Sequence, residues 1–396
     1  MRKVRLPHVT VCDLALALGL IAGASSVLLL FSGYRAAVTA HGDFGIIWSG
    51  PRAVLDGVDP YDHAGWAISR ARYGLPLTTY TYPYPPWVAI ALLPLGALSL
   101  VPAAAVWTVF GAGLAVISLR ALLRAYLPRA PSLHALFGFI LFASQPGIAT
   151  FFSGQFGYVL VAVLSCLTLS VRAGRTVLAG LISALLGVKP QYFVFTLWAL
   201  LRASVARGSW AFAAAAGIAF CGAVAVPLFL LNPDAMSGWL QGSVMTHLAD
   251  RTATTLPNVL EDLAGPPGAA IAALALLAFV WVGLRFEPRS DAWLAVWIPL
   301  SMLGAAYARS YDQVILIVPL VVATATVGRS SQRRGALLAV VGAVLLGLGS
   351  IVLYGLAGAR GNEDGSVVLT LAFFVLFVVA LWSERHGSHR AEGARA

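Results

Sequence analysis

Apolar runs close to twenty residues long recur along this whole chain, and most charged residues fall between them. A helix of about 20 residues rises about 30 Å, the thickness of a bilayer's hydrocarbon core. Lipid offers no hydrogen bonds, so each run must satisfy its own backbone and folds as a helix. The expected fold is an all-α polytopic membrane protein with about twelve transmembrane helices. They are placed near residues 11–33, 103–124, 132–150, 155–171, 176–188, 191–201, 210–231, 267–284, 292–308, 313–328, 336–357 and 367–382. Composition excludes a soluble domain: 59% of the 396 residues are hydrophobic and 11% charged, with a mean hydropathy of +0.85.

The basic residues orient these spans. With both termini cytoplasmic, the clusters at Arg2, Lys3 and Arg5, Arg120 to Arg129, Arg172 and Arg175, Arg202 and Arg207, Arg285 and Arg289, Arg329 to Arg334 and Arg385 to Arg395 all fall inside. The acids Asp43, Asp56, Asp59, Asp62, Asp234, Asp250, Glu261, Asp262, Asp312, Glu363 and Asp364 fall outside. The net charge of +10 is thus a topology signal and no reason to expect a nucleic-acid partner. A secretory signal cleaved after Val38-Thr39-Ala40 is the alternative for the first run, which is too long for a signal core. Residues 1–385 read as one integral membrane domain and 386–396 as a cytoplasmic tail. Cys12, Cys166 and Cys221 lack the spacing of a zinc site or a disulfide framework.

Counting Pro86 to Leu98 as a span would move Arg120, Arg124 and Arg129 outside. Its thirteen or so residues rise only about 20 Å, so it reads as an interfacial or re-entrant helix. Residues 34–100 then form a long outer-face loop 1, and unbroken loops of that length are uncommon unless functional. Near 189, two half-length helices meet at Lys189-Pro190-Gln191. A lysine at that depth costs about 2.5–3.5 kcal/mol on insertion scales, so an anionic partner is expected.

Several polar residues gather at the outer face. Asp43 opens a segment that can be helical as far as Pro51; it is either an N-cap, accepting from Gly45 or Ile46 N–H, or a general base for a hydroxyl. His41 pairs with Asp43, or with Asp59, Asp62 and His63, in no established ligand spacing, and Asp56 to Asp62 reads first as a turn. No metal site is assigned, and a role for a divalent ion stays open. Gln155 and Gln191 are helix-end hydrogen-bonding groups or site residues. Tyr80, Tyr82, Tyr84 and Trp87 are an interfacial aromatic belt or a surface that stacks on sugar rings. Arg309 either pairs with Asp312, with Tyr311 as an interfacial anchor, or, like Lys189, binds a phosphate. His247, Asp250 and Arg251 are candidates for the path of an acceptor.

These residues carry a resemblance. Asp43-Phe44 with Trp48-Ser49-Gly50, the Gly57-Val58-Asp59-Pro60-Tyr61 turn, and Tyr84-Pro85-Pro86 running to Leu93-Pro94-Leu95 are similar to glycosyltransferase family 87. Gly154-Gln155, Lys189-Pro190-Gln191, Asn258 and Tyr311-Asp312 follow in the same order. The resemblance implies a GT-C-like bundle and an inverting transfer of mannose or another hexose from a polyprenyl-phosphate donor to a lipid or glycan hydroxyl. It places this at the outer face of a bacterial inner membrane, with Asp43 as general base. Lys189 and Arg309 are expected at the donor phosphate, and His41, Tyr82, Tyr84, Trp87, Gln155, Gln191, His247, Tyr311 and Asp312 around the substrates. The competing readings are a transporter or lipid flippase with Lys189 at a broken helix, and a non-catalytic GT-C-like assembly protein.

Overall fold

The computed structural model describes residues 43–206, 208–248, 253–286, 291–305, 307–360 and 363–393. The expected first span, the cleavage alternative and His41 lie outside them. Every regular element among the described residues is a helix, and each remaining expected span contains one. The last helix, Val367–Gly393, continues through most of the stretch expected as a tail.

The count of full-length spans is smaller than expected. Among the described residues, five helices are long and apolar enough to cross a bilayer alone, six if Pro131–Ala143 and Gln145–Ser153 form one span bent by 51°. The other apolar helices have 10–17 residues. Local chemistry explains the breaks. Ser144 is extended (φ −72°, ψ 152°) and its Oγ accepts from Gly147 N–H, so it ends one helix and caps the next. Thr176–Ala184 tightens into a 3₁₀ turn, Leu185–Val188. Lys189 then leaves the helical region (φ −134°, ψ 71°) because Pro190 disfavours helical backbone in the residue before it.

Loop 1 is packed, not extended. It contains Phe44–Leu55, His63–Arg72, Pro86–Ala91 and Leu93–Gly96. The last two have 6 and 4 residues, so no helix in the Pro86 to Leu98 segment is long enough to cross a bilayer by itself. Gly96 lets the loop fold tightly, because a Cβ there would lie 2.8 Å from the Pro51 carbonyl carbon. A buried aromatic seam joins loop 1 to the bundle. It runs from Trp66 through Tyr82, Tyr84 and Phe156 to Trp107, with successive ring centroids 5.7, 5.5, 5.0 and 5.1 Å apart. Such pairs each add about 0.5–1.5 kcal/mol beyond the area they bury.

Several of the long helices share one direction. The Trp107 indole donates to Gly154 O at 2.7 Å near the starts of Leu100–Tyr126 and Gly157–Arg172. Near their ends, the Arg172 guanidinium lies 4.2 Å from the Tyr126 ring centroid. The two helices therefore run parallel, with Asp43 and Gln155 beside their starts and Arg124 and Arg172 at their far ends. Ser310–Ser330 repeats this polarity from Asp312 to Arg329.

Candidate active site

Asp43 sits in helical backbone (φ −60°, ψ −19°) ahead of Phe44–Leu55, and its carbonyl accepts from Ile46 and Ile47 N–H at 2.9 and 3.1 Å. Its side chain makes no capping bond, so the capping explanation fails. Instead Gln155 Nε2 donates to Asp43 Oδ2 at 2.7 Å, and Tyr84 OH donates to Gln155 Oε1 at 3.2 Å. Gly154 makes this approach possible. Its φ of 68° turns the chain between Gln145–Ser153 and Gly157–Arg172, and a Cβ there would lie 2.6 Å from Phe44 Cβ. Burial pushes the Asp43 carboxyl above the usual carboxylate range. The Gln155 hydrogen bond, the Lys189 charge, a Tyr311 hydrogen bond and the Arg309 charge oppose that rise without cancelling it.

Lys189 has the anionic partner its depth demands. Its Nζ lies 2.7 Å from Asp312 Oδ1, and Tyr192 OH donates to Oδ2 at 2.5 Å. Arg309 backbone N–H also reaches Oδ2, at 3.3 Å. The expected side-chain pairing of Arg309 with Asp312 is thus replaced: Lys189 takes the carboxylate, and the Arg309 guanidinium donates to Tyr307 OH at 2.9 Å. The Lys189 ammonium also stands 5.1 Å from the Tyr311 ring centroid.

A cavity of about 210 Å³ opens beside these groups, and Asp43, Tyr84, Gln155, Lys189, Gln191 and Tyr311 all line it. Other expected residues lie elsewhere. Tyr82 is fully buried beneath Gly50 and beside Trp66, and so does not line the cavity. Trp87 is turned away: its indole donates to Gly187 O at 3.2 Å and its ring packs on Phe220 and Trp239. Asp312 is buried behind Lys189. Arg309 is near enough to act on Asp43 by charge but is not part of the wall. His41 and the side chains of His247, Asp250 and Arg251 lie outside what the structure describes.

Sequence reasoning missed Trp239, Leu240, Val244 and Tyr307, which also line the cavity. The first three belong to a helical segment that contains a π turn at Leu240–Val244, an irregularity frequent at functional sites. The segment is latched to loop 1, with Trp239 Nε1 donating to Pro83 O at 3.1 Å and Ser243 Oγ to Tyr82 O at 2.8 Å. No short-range signal marks such a contact across 156 residues. Among the described residues, no group of three or more His, Cys, Asp or Glu is placed to hold a metal.

Comparison with known proteins gives one family match: the model of glycosyltransferase family 87 matches residues 82–296. A search of curated proteins finds no match. Among solved structures, the chain is similar to the crystal structure of ArnT from Cupriavidus metallidurans bound to undecaprenyl phosphate. The identity is 14%, the TM-score 0.44, and the alignment covers 96% of this chain and 79% of that one.

Proposed function

Because the chain belongs to glycosyltransferase family 87, we propose that it transfers a hexose, in the first instance mannose, from a polyprenyl-phosphate donor to a hydroxyl of a lipid or glycan. The reaction takes place at the outer face of a bacterial inner membrane. The observation that carries this reading is a buried carboxylate on a cavity wall that accepts a hydrogen bond from Gln155 and makes no capping bond to its own helix. Asp43 then acts as general base. It takes the acceptor's hydroxyl proton while that oxygen attacks the anomeric carbon. The bond from carbon to phosphate oxygen breaks, and its electron pair leaves with the polyprenyl phosphate. A single displacement inverts the anomeric centre.

The leaving phosphate is already a stable anion, so it needs cations more than an acid. Lys189 on the cavity wall and Arg309 beside it are assigned to that anion. The Lys189 pairing with Asp312 holds the ammonium in place before the donor arrives. Tyr84, Gln191 and Tyr311 face the sugar, and the aromatic wall of Trp239 and Tyr307 lies alongside.

The test is transfer from radiolabelled polyprenyl-phosphate mannose to extracted membrane lipids or glycans by purified protein. Asp43→Asn keeps the shape and removes the base, so turnover should fall by about 10²–10⁴-fold. Transfer by the variant at the wild-type rate would reject Asp43 as the base. Failure of wild type with every polyprenyl-phosphate hexose supplied would reject the donor class.

A further inference from the structure

Gln155 is 5% exposed, and its one amide is used from both ends. Nε2 donates to Asp43 Oδ2 at 2.7 Å, while Oε1 accepts from Tyr84 OH at 3.2 Å. An ionised carboxylate only accepts, so with Asp43 ionised the amide must turn Nε2 towards it, and the Tyr84 hydroxyl then donates to Oε1. Flipped, Oε1 would face the ionised Oδ2 with no proton between the two oxygens. Tyr84 is itself fixed, since its carbonyl accepts from Tyr61 OH at 2.9 Å and its ring packs on Tyr82 and Phe156. The chain of contacts thus runs from the buried aromatic seam, through a hydroxyl and an amide, to the carboxylate.

We propose that Gln155 is the positioning residue for the base, its amide stabilising the ionised Asp43 carboxylate, and that the Tyr84 hydroxyl supports that amide by donating to its oxygen. This rests on the reading of Asp43 as general base. Other groups face Asp43 as well: Tyr311 from the 3₁₀ turn Ser310–Leu316, Arg309 just before it, and Lys189 between its two 3₁₀ turns, with Asp312 behind the ammonium. Lys189 is already engaged by Asp312, while the Gln155 amide is a short, direct donor to the carboxylate alongside the Tyr311 hydrogen bond. A hydrogen bond to the charged form favours that form, in opposition to burial.

The experiment compares full-length wild type, Gln155→Leu and Tyr84→Phe in detergent or nanodiscs. Dicyclohexylcarbodiimide, which reacts with protonated buried carboxyls, is titrated across pH, and modification of Asp43 is read by peptide mass spectrometry. Modification should persist to higher pH in Gln155→Leu than in wild type, with Tyr84→Phe between them. In the transfer assay, the acid limb of the pH–rate profile should move to higher pH in the same order. At neutral pH the Gln155→Leu rate should be down by about tenfold to a hundredfold, the scale of a lost hydrogen bond to a charge. Identical labelling curves in all three folded proteins would overturn the proposal, as would a rate loss equal at every pH. If Gln155→Leu fails to fold, Tyr84→Phe decides alone, because it removes one hydroxyl from a packed ring. Asp43→Asn separates the two ideas: full activity there rejects the base itself, whereas an inactive Asp43→Asn with unshifted Gln155→Leu and Tyr84→Phe rejects only the positioning role.

Discussion

At the scale of single residues, a raised carboxyl and a buried ion pair make different demands. Asp43 must be ionised to act as a base, and burial places its titration above the usual carboxylate value of about 3.9. Activity should therefore fall as pH drops through that raised value, earlier than for an ordinary aspartate; a pH–rate profile with its acid limb in the ordinary aspartate range would contradict this. Lys189 and Asp312 are 5% and 0% exposed. Removing one partner of a buried pair strands the other and costs about 3–5 kcal/mol. Lys189→Met should thus lower the thermal unfolding midpoint in detergent markedly, whereas Lys189→Met combined with Asp312→Leu should recover much of the loss. Equal midpoints for wild type and Lys189→Met would remove the pair from the structural account. Both key residues could be read from the chain, because a carboxylate after an apolar run and a lysine between half-helices are each anomalous in sequence. The pairings could not, although Gln155 and Asp312 were themselves expected near the substrates: they lie 112 and 123 residues from Asp43 and Lys189, and no local pattern encodes such distances.

At the scale of elements, the site depends on how closely loop 1 approaches the Gly154 turn. Alanine at 154 would put a Cβ into a positive-φ position and 2.6 Å from Phe44 Cβ, so relaxation must move either the Asp43 helix or Gln155. Gly154→Ala should destabilise the protein by about 1–3 kcal/mol and lower transfer by more than that stability loss explains. Unfolding midpoints measured beside turnover on the same samples decide between the two effects. The helical segments themselves were legible as apolar runs, and the break at Lys189 as a proline signal. Orientation within loop 1 was not. Tyr80, Tyr82 and Tyr84 look equivalent in sequence, yet Tyr82 fills the space over Gly50 while its two neighbours reach the cavity. Prolines 83 and 85 interrupt any regular alternation. The Trp239 to Val244 wall was hidden for another reason: in an apolar chain, a side chain on a cavity looks like one facing lipid.

Across the whole molecule, the structure gives the charge distribution a direction in space that the sequence only implied. Asp43, Gln155, Lys189 and Asp312 gather at one end of the bundle, while Arg124, Arg172 and Arg329 end the helices that lead away from it. Arg334 and Glu384 pair at 3.2 Å beyond that second end. The break between the short helices at Lys189 and Pro190 lies where Lys189 meets Asp312. If cations mark the cytoplasmic side, loop 1 faces outward and the cavity is reached from outside. Single cysteines test this, with Cys12, Cys166 and Cys221 replaced by alanine. Ala64 in loop 1 and Arg175 after the Gly157–Arg172 helix are both exposed, so each accepts a probe without disturbing the core. In intact spheroplasts, a membrane-impermeant maleimide should label Ala64→Cys fully and Arg175→Cys only at background, with Arg175→Cys becoming reactive once the membrane is permeabilised. The reverse pattern would put Asp43 on the cytoplasmic side, where a donor presented on the outer leaflet could not reach it.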